Sequence, residues 1–229
     1  MLKGKKVLII GGGSGIGLAV AKLAQANGAE LVVASRGASA QTRRLSEAVG
    51  AAVRTHDFDI TAPDDHGRLF QEIGEIDHLV IAVRPAVRPA PLLAMDLAEV
   101  RRVFETKFWG PCGLIRVAHG FIRKAGTITL TSGVAGAKIY PGASAMALVN
   151  SLTETLCRVL AVELAPVRVN AVSPGFVKPK PAEMAHMAEK LPLGRFADAG
   201  EVAAAFLALI TNPYQTGTVA VVDGGALLT

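Results

Sequence analysis

Between Lys5 and Ala29 the chain reads KKVLIIGGGSGIGLAVAKLAQANGA, and the residues there that could do chemistry are Gly11, Gly12, Gly13, Ser14, Gly15, Ile16 and Gly17. Val7 to Ile10 form a short apolar run of the kind that makes a buried parallel strand, and from Gly15 onward Ile16, Ala19, Val20 and Leu23 recur at helical spacing. A turn this tight needs residues without Cβ, so that the chain bends sharply and its amides approach a ligand. The helix that follows points the positive end of its dipole at the turn. Together they predict a pocket for a pyrophosphate.

A second apolar strand, Leu31 to Ala34, ends in Ser35 and Arg36. This is the place, roughly 20 residues past the glycines, where an NAD enzyme carries a carboxylate for the ribose hydroxyls. Arg36 offers instead a charge-assisted fork to a 2′-phosphate, which a carboxylate would repel. The expected cofactor is NADP(H).

The elements that must hold these residues follow in alternation. A helix is expected over 41–49, a strand over 51–55, a helix over 63–73, a strand over 77–82 and a long helix over 97–123. Then come a strand over 126–131, a helix over 143–164, a strand over 167–171, a helix over 201–210 and a last strand over 219–222. Repeated βα units predict an α/β fold: a single Rossmann-type domain over 1–229, with a doubly wound parallel seven-stranded sheet and helices on both faces. Ligands then bind beyond the carboxyl ends of the strands, just after Ile10, Ala34, Thr55, Ala82, Thr131 and Ala171. A short substrate loop is expected over 178–198.

With 229 residues and no Pro/Ser-rich linker or charge block, one domain is the simplest reading. The net charge is +5, but the basic residues are scattered without an aromatic-basic patch, which argues against nucleic-acid binding. No uninterrupted apolar stretch spans a bilayer, so no membrane partner is expected. The basic, apolar and Ala19-Val20-Ala21 opening imitates a secretory signal. Cleavage there would remove the first strand and the glycine turn, so a cytoplasmic protein is expected. Cys112 and Cys157 have neither metal spacing nor a disulfide framework, and no metal site is expected.

GGGSGIG at Gly11 to Gly17, VVASR at Val32 to Arg36, LTSGVAG at Leu130 to Gly136, LAVELAPVRVNAVSPGF at Leu160 to Phe176 and VVDGG at Val221 to Gly225 resemble the short-chain dehydrogenase/reductase family across the whole chain. The resemblance implies a dinucleotide cofactor, a small-molecule substrate and a homodimer or homotetramer, paired through the helices that carry Cys112 and Cys157. It places Asp59 and Ile60 beside the adenine, Ala82 after the fourth strand, and Pro174, Gly175 and Val177 beside the nicotinamide. Asp59 has a second reading, as a cap for the helix beginning near Pro63.

The family's chemistry rests on Ser, Tyr and Lys with Asn behind them. Ser132 fits the serine position. Counting back from Leu160 to Glu163, the Tyr and Lys positions fall on Met146 and Asn150, and the Asn position falls on Lys107. A thioether has no proton to give, and Asn has no charge with which to depress a phenol pKa from about 10. Lys107 and Asn150 exchange an ammonium and an amide between sites that the family places close together. Lys107 is then placed to contact ribose, a water or an anionic substrate. The nearby phenol, Tyr140, precedes Met146 by six residues, a helical rotation of roughly 240°. It either enters the site from its loop or packs in the loop or at an interface.

Arg84, Arg88, Lys178 and Lys180 lie on the predicted cleft walls and could make its mouth attractive to an anion. Two functions follow. One is an NADP(H)-dependent oxidoreductase acting on a small carbonyl, alcohol or activated alkene, with Ser132 orienting the substrate and Lys107, Tyr140 or water moving the proton. The other is an inactive NADP(H)-binding sensor or partner subunit.

Overall fold

The apolar runs pair as one parallel sheet in the order β3-β2-β1-β4-β5-β6-β7 in a computed structural model that describes residues 1–229. The strands are β1 (Lys6–Ile10), β2 (Glu30–Ser35), β3 (Arg54–Asp57), β4 (Ile76–Ile81), β5 (Ile122–Thr131), β6 (Arg168–Pro174) and β7 (Val219–Val222). The helices are α1 (Gly15–Ala26), α2 (Thr42–Val49), α3 (Pro63–Ile73), α4 (Leu97–Phe104), α5 (Gly110–Ala118), α6 (Ser144–Glu163), α7 (Ala185–Glu189) and α8 (Ala199–Thr211). Strand side chains alternate between two apolar layers. Leu8, Ile10, Leu79 and Ile81 pack with Leu69, Phe70, Leu114 and Cys157 from α3, α5 and α6. Val7, Ile9 and Val80 pack with Val20, Leu45, Val202 and Phe206 from α1, α2 and α8. This is the doubly wound α/β domain that the alternation predicts, and its order reverses between β1 and β4, where the glycine turn lies.

Several boundaries differ from the sequence reading. The third strand is Arg54–Asp57 rather than 51–55; it is an edge strand paired only with β2, so its residues carry no buried apolar pattern. The helix expected over 97–123 stops at Ala118. Inside it, Glu105–Trp109 form a π turn that puts Lys107 on its inner side. Strand β5 starts at Ile122, and its register with β4 breaks before resuming at Thr127. At that break a Cβ on Gly126 would lie 2.4 Å from the Asp77 carbonyl oxygen, so only glycine allows the approach. Strand β6 runs on to Pro174, past the expected end at Ala171. Helix α6 reaches the length and mean hydropathy, 1.3, of a membrane-crossing helix. Its inner face nevertheless packs on β5 and β6 and carries the buried polar residues Asn150 and Thr153.

At the amino ends of the strands Asp77 is 3 % exposed. It accepts from Lys5 Nζ at 3.0 Å, the Lys6 amide at 2.9 Å and Arg123 Nη1 at 2.8 Å. Burial raises its pKa, but these donors outweigh it and hold the carboxyl below its usual range.

Candidate active site

The glycine turn is built by backbone packing backbone. A Cβ on Gly17 would fall 2.3 Å from the Gly11 carbonyl oxygen, and one on Gly11, at φ +83, would fall 2.7 Å from the Ala82 oxygen. Gly15 sits at φ +52, where L side chains are strained. Ser14 is the extended N-cap of α1 and makes no side-chain cap bond, and Ile16 follows in the first turn. The opening amides of α1 are therefore left to an outside acceptor, and the cradle fits a pyrophosphate.

Around the cradle, the Ala82 amide donates to the Ile10 oxygen at 2.8 Å and the Gly175 amide to the Val222 oxygen at 2.9 Å. A Cβ on Gly175 would crowd the Asp223 backbone at 2.8 Å. Pro174 closes β6, and Val177 bridges to Ala197. Asp59 does not cap α3, whose N-cap is Ala62. It accepts from the Thr61 amide at 2.9 Å and the Thr61 hydroxyl at 2.8 Å. These bonds, with a smaller contribution from the Arg36 charge, lower its pKa. The Ile60 oxygen accepts from His66 Nε2 at 2.9 Å. Gly13 faces Ser35, whose hydroxyl would lie 3.2 Å from a Cβ placed there. Arg44, which the sequence reading missed, donates from Nη2 to the Gly13 oxygen at 2.9 Å. Arg44 thus puts a guanidinium group beside the turn, and Arg36, just after β2, lies close enough to Asp59 for its charge to act there.

At the ends of β5 and β6 the remaining candidates separate. Lys107 and Asn150 meet: Lys107 Nζ donates to Asn150 Oδ1 at 2.5 Å and to the Ser132 carbonyl oxygen at 2.9 Å. Lys107 is 6 % exposed and Asn150 2 %. Burial pushes the Lys107 amine down to about 7, against the pull of the Glu154 carboxylate. The Ser132 hydroxyl donates to Glu154 Oε1 at 2.7 Å, where Ser173 Oγ also approaches at 3.4 Å, and lies 3.3 Å from the Asn150 carbonyl oxygen. Glu154 is the second residue missed in sequence. Its signal was its spacing, one turn after Asn150 and two after Met146 on the same face of α6.

Met146 packs with Val87 and Phe108 against Val103, Ala145 and Val149. Tyr140 does not join this group. Its hydroxyl lies 3.5 Å from the Ala226 oxygen, its ring meets Phe176 edge-on at 5.6 Å, and burial together with Asp223 raises its pKa. Lys178 is paired with Asp198 at 3.2 Å, which removes it from the set of cations available to an anion. Lys180 lies over the Phe176 ring at 5.8 Å, and burial and the Arg84 charge both lower its pKa.

A Cβ-free cradle at the switch point of a parallel sheet defines a dinucleotide-binding protein. The family model described as Enoyl-(Acyl carrier protein) reductase matches residues 11–226. The cis-4-hydroxycyclohexanecarboxylate dehydrogenase of Sinomonas cyclohexanicum is 35 % identical over 95 % of this chain and 94 % of its own. The short-chain dehydrogenase/reductase ATR9 of Stachybotrys chlorohalonatus is 32 % identical over 99 % of this chain and 98 % of its own. A small-chain dehydrogenase crystallised in complex with NADPH superposes with a TM-score of 0.83 at 30 % identity, covering 98 % of this chain and 99 % of that one. The chain belongs to the short-chain dehydrogenase/reductase family of oxidoreductases, and its cradle fits the family's nicotinamide cofactor.

Proposed function

We propose that the protein is an NADP(H)-dependent oxidoreductase with a rebuilt active site, acting on a small carbonyl, alcohol or activated alkene. The observation that carries this reading is the buried contact of Lys107 with Asn150 and the end of β5. It keeps an ammonium where Met146 and Asn150 have displaced the family's phenol and lysine. The nicotinamide, when bound, supplies or accepts hydride. Lys107 and Asn150 furnish charge and hydrogen bonds, and the apolar Met146 cluster forms one wall. An activated alkene suits such a site, because its proton can reach carbon from solvent without a positioned acid. The description of the matching family model names an enoyl reductase and so supports that class. Arg84 and Lys180 favour an anionic substrate, in keeping with the carboxylate in the name of the Sinomonas relative.

NADPH binding followed by fluorescence, then oxidation against carbonyls, enones and anionic substrates in the same cuvette, tests the reading. Turnover that falls on Lys107→Ala supports it, and binding without turnover across the panel overturns it. The second outcome would establish the cofactor-binding sensor or partner subunit, a reading favoured by the packing of Met146 into an apolar cluster.

The choice of NADP(H) rests on Arg36 and Arg44. Arg36→Asp is expected to weaken NADPH binding about 10- to 100-fold, the scale of one charge-assisted hydrogen bond, and to leave NADH nearly unaffected. Equal loss for both cofactors, measured by fluorescence titration, would remove the argument.

We also propose a cytoplasmic homodimer or homotetramer, with no membrane or nucleic-acid partner. Helix α6 exposes Leu148, Leu152, Val159 and Val162 along its outer face, and Trp109 is exposed on the neighbouring π turn. Light scattering after size exclusion is expected to give a dimer or tetramer, and the double change Leu152→Glu, Val159→Glu a monomer. An unchanged mass would place the interface elsewhere.

A further inference from the structure

Asn150 is 2 % exposed, and its carboxamide has two different ends. Oδ1 is taken by Lys107 Nζ at 2.5 Å. An ammonium has donors and no acceptor, so this contact forces the assignment of the amide and turns Nδ2 the other way. Nδ2 makes no hydrogen bond within the protein, and it is not a fully enclosed orphan, since the side-chain atom of that kind is Thr129 Oγ1; it therefore keeps a little exposed surface. It points at Gly133. A Cβ on Gly133 would lie 2.8 Å from Nδ2, and one on Gly136 would lie 3.0 Å from the Asn150 Cβ. Only glycine at 133 lets the carboxamide lie this close to the backbone, at the carboxyl end of β5 where this fold binds its ligands. A positive charge on Oδ1 polarises the amide and strengthens its N–H as a donor.

We propose that Asn150 Nδ2 and the side-chain-free surface of Gly133 form a hydrogen-bonding notch for the substrate's carbonyl oxygen, with Lys107 as the residue that orients and polarises Asn150. The proposal rests on the oxidoreductase reading only for the identity of its ligand. The notch holds an oxygen without protonating it, since an amide N–H donates a hydrogen bond and keeps its proton. This matches reduction of a conjugated alkene. Hydride from the reduced nicotinamide brings two electrons to the far alkene carbon, and the alkene pair moves onto the oxygen held by Nδ2. A proton from water then completes the near carbon and the carbonyl is restored. Ser132, whose hydroxyl faces Glu154, is outside the notch.

The test uses the full-length protein with NADP⁺, which cannot reduce the probe, and 2-cyclohexen-1-one carrying a ¹³C carbonyl. Difference infrared spectroscopy is expected to show a carbonyl band shifted to lower frequency on binding. Asn150→Asp keeps an acceptor for Lys107 but has no N–H, and Gly133→Ala places a methyl group 2.8 Å from Nδ2, which must then move from its position. Each is expected to abolish the shifted band and to weaken probe binding about tenfold or more. Thermal melts establish that each variant is folded, and either one suffices if the other is not. A shifted band in the wild type that both changes remove, without hydride transfer from NADPH, would keep the notch and remove the oxidoreductase reading. Probe binding and hydride transfer indifferent to both changes would keep the oxidoreductase and overturn the notch. Absence of saturable probe binding to the wild type would overturn it as well.

Discussion

Lys107→Met is expected to slow hydride transfer from NADPH to an enone about 10²- to 10³-fold, the scale for loss of one preorganised donor at a developing oxyanion. The loss arises through Asn150. Without the ammonium on Oδ1, the carboxamide is free to rotate, and the N–H facing Gly133 is neither fixed nor polarised. The effect has a pH signature. Burial holds the Lys107 amine at about 7, so the wild-type rate is expected to fall as pH rises through that value. Of the groups packed around Nζ, the Ser132 carbonyl of β5 and the Asn150 amide of α6 carry no charge. Glu154 of α6 does, and it supports the ammonium. Glu154→Gln should therefore move the fall to lower pH, while Lys107→Met should flatten it. Stability runs the other way. The unfolded chain holds the lysine proton up to about 10.5 and the folded chain releases it near 7, so between these values rising pH favours folding. The melting temperature of the wild type relative to Lys107→Met is expected to increase from pH 7 to pH 10, and a constant difference would show that the amine titrates normally.

Asp77→Ala should lower stability by about 1.5–3 kcal/mol, the scale for hydrogen bonds to a charged group lost from a buried carboxylate whose cationic partners are half-exposed. The carboxylate joins the start of β1 to the start of β5: it accepts from Lys5 and the Lys6 amide on one side and from Arg123 on the other. Without it, the Lys6 amide and the Lys5 ammonium lose their acceptor, and Arg123 keeps only its 3.4 Å contact with Glu75. For a domain of this size the change amounts to roughly 3–12 °C in melting temperature, at about 2–4 °C per kcal/mol. In the wild type this contribution is present above the unfolded carboxyl value near 3.9 and is lost as pH falls through the lowered folded value. An unchanged melting temperature at pH 7 would show that the three donors are solvated independently.

How much of this was readable beforehand depends on whether a feature is written in neighbouring residues. The glycine turn was readable because glycine is required wherever backbone meets backbone, and the Gly11–Gly17 contact lies within one short segment. The strands β1, β2 and β4 were readable because burial on both faces demands continuous apolar runs. Strand β3 was not, since an edge strand paired on one side tolerates Arg54, His56 and Asp57. The π turn at Glu105–Trp109 leaves no periodic signature, yet it is what carries Lys107 to the inner side.

At the site, residue types and spacing led to the expectation that Met146 and Asn150 stand at the phenol and lysine positions and that Lys107 and Asn150 are neighbours. Only the tertiary structure decided the direction of each side chain. It turned Ser132 toward Glu154, tied Lys178 to Asp198, drew Tyr140 to the Ala226 carbonyl, and left Asn150 Nδ2 facing Gly133. These partners come from different strands and helices, separated in sequence by up to 86 residues for Tyr140 and Ala226. Short-range spacing determines which residues share a strand or a helix face. Which hydrogen bonds they make is determined when distant elements pack together and bring donors to acceptors.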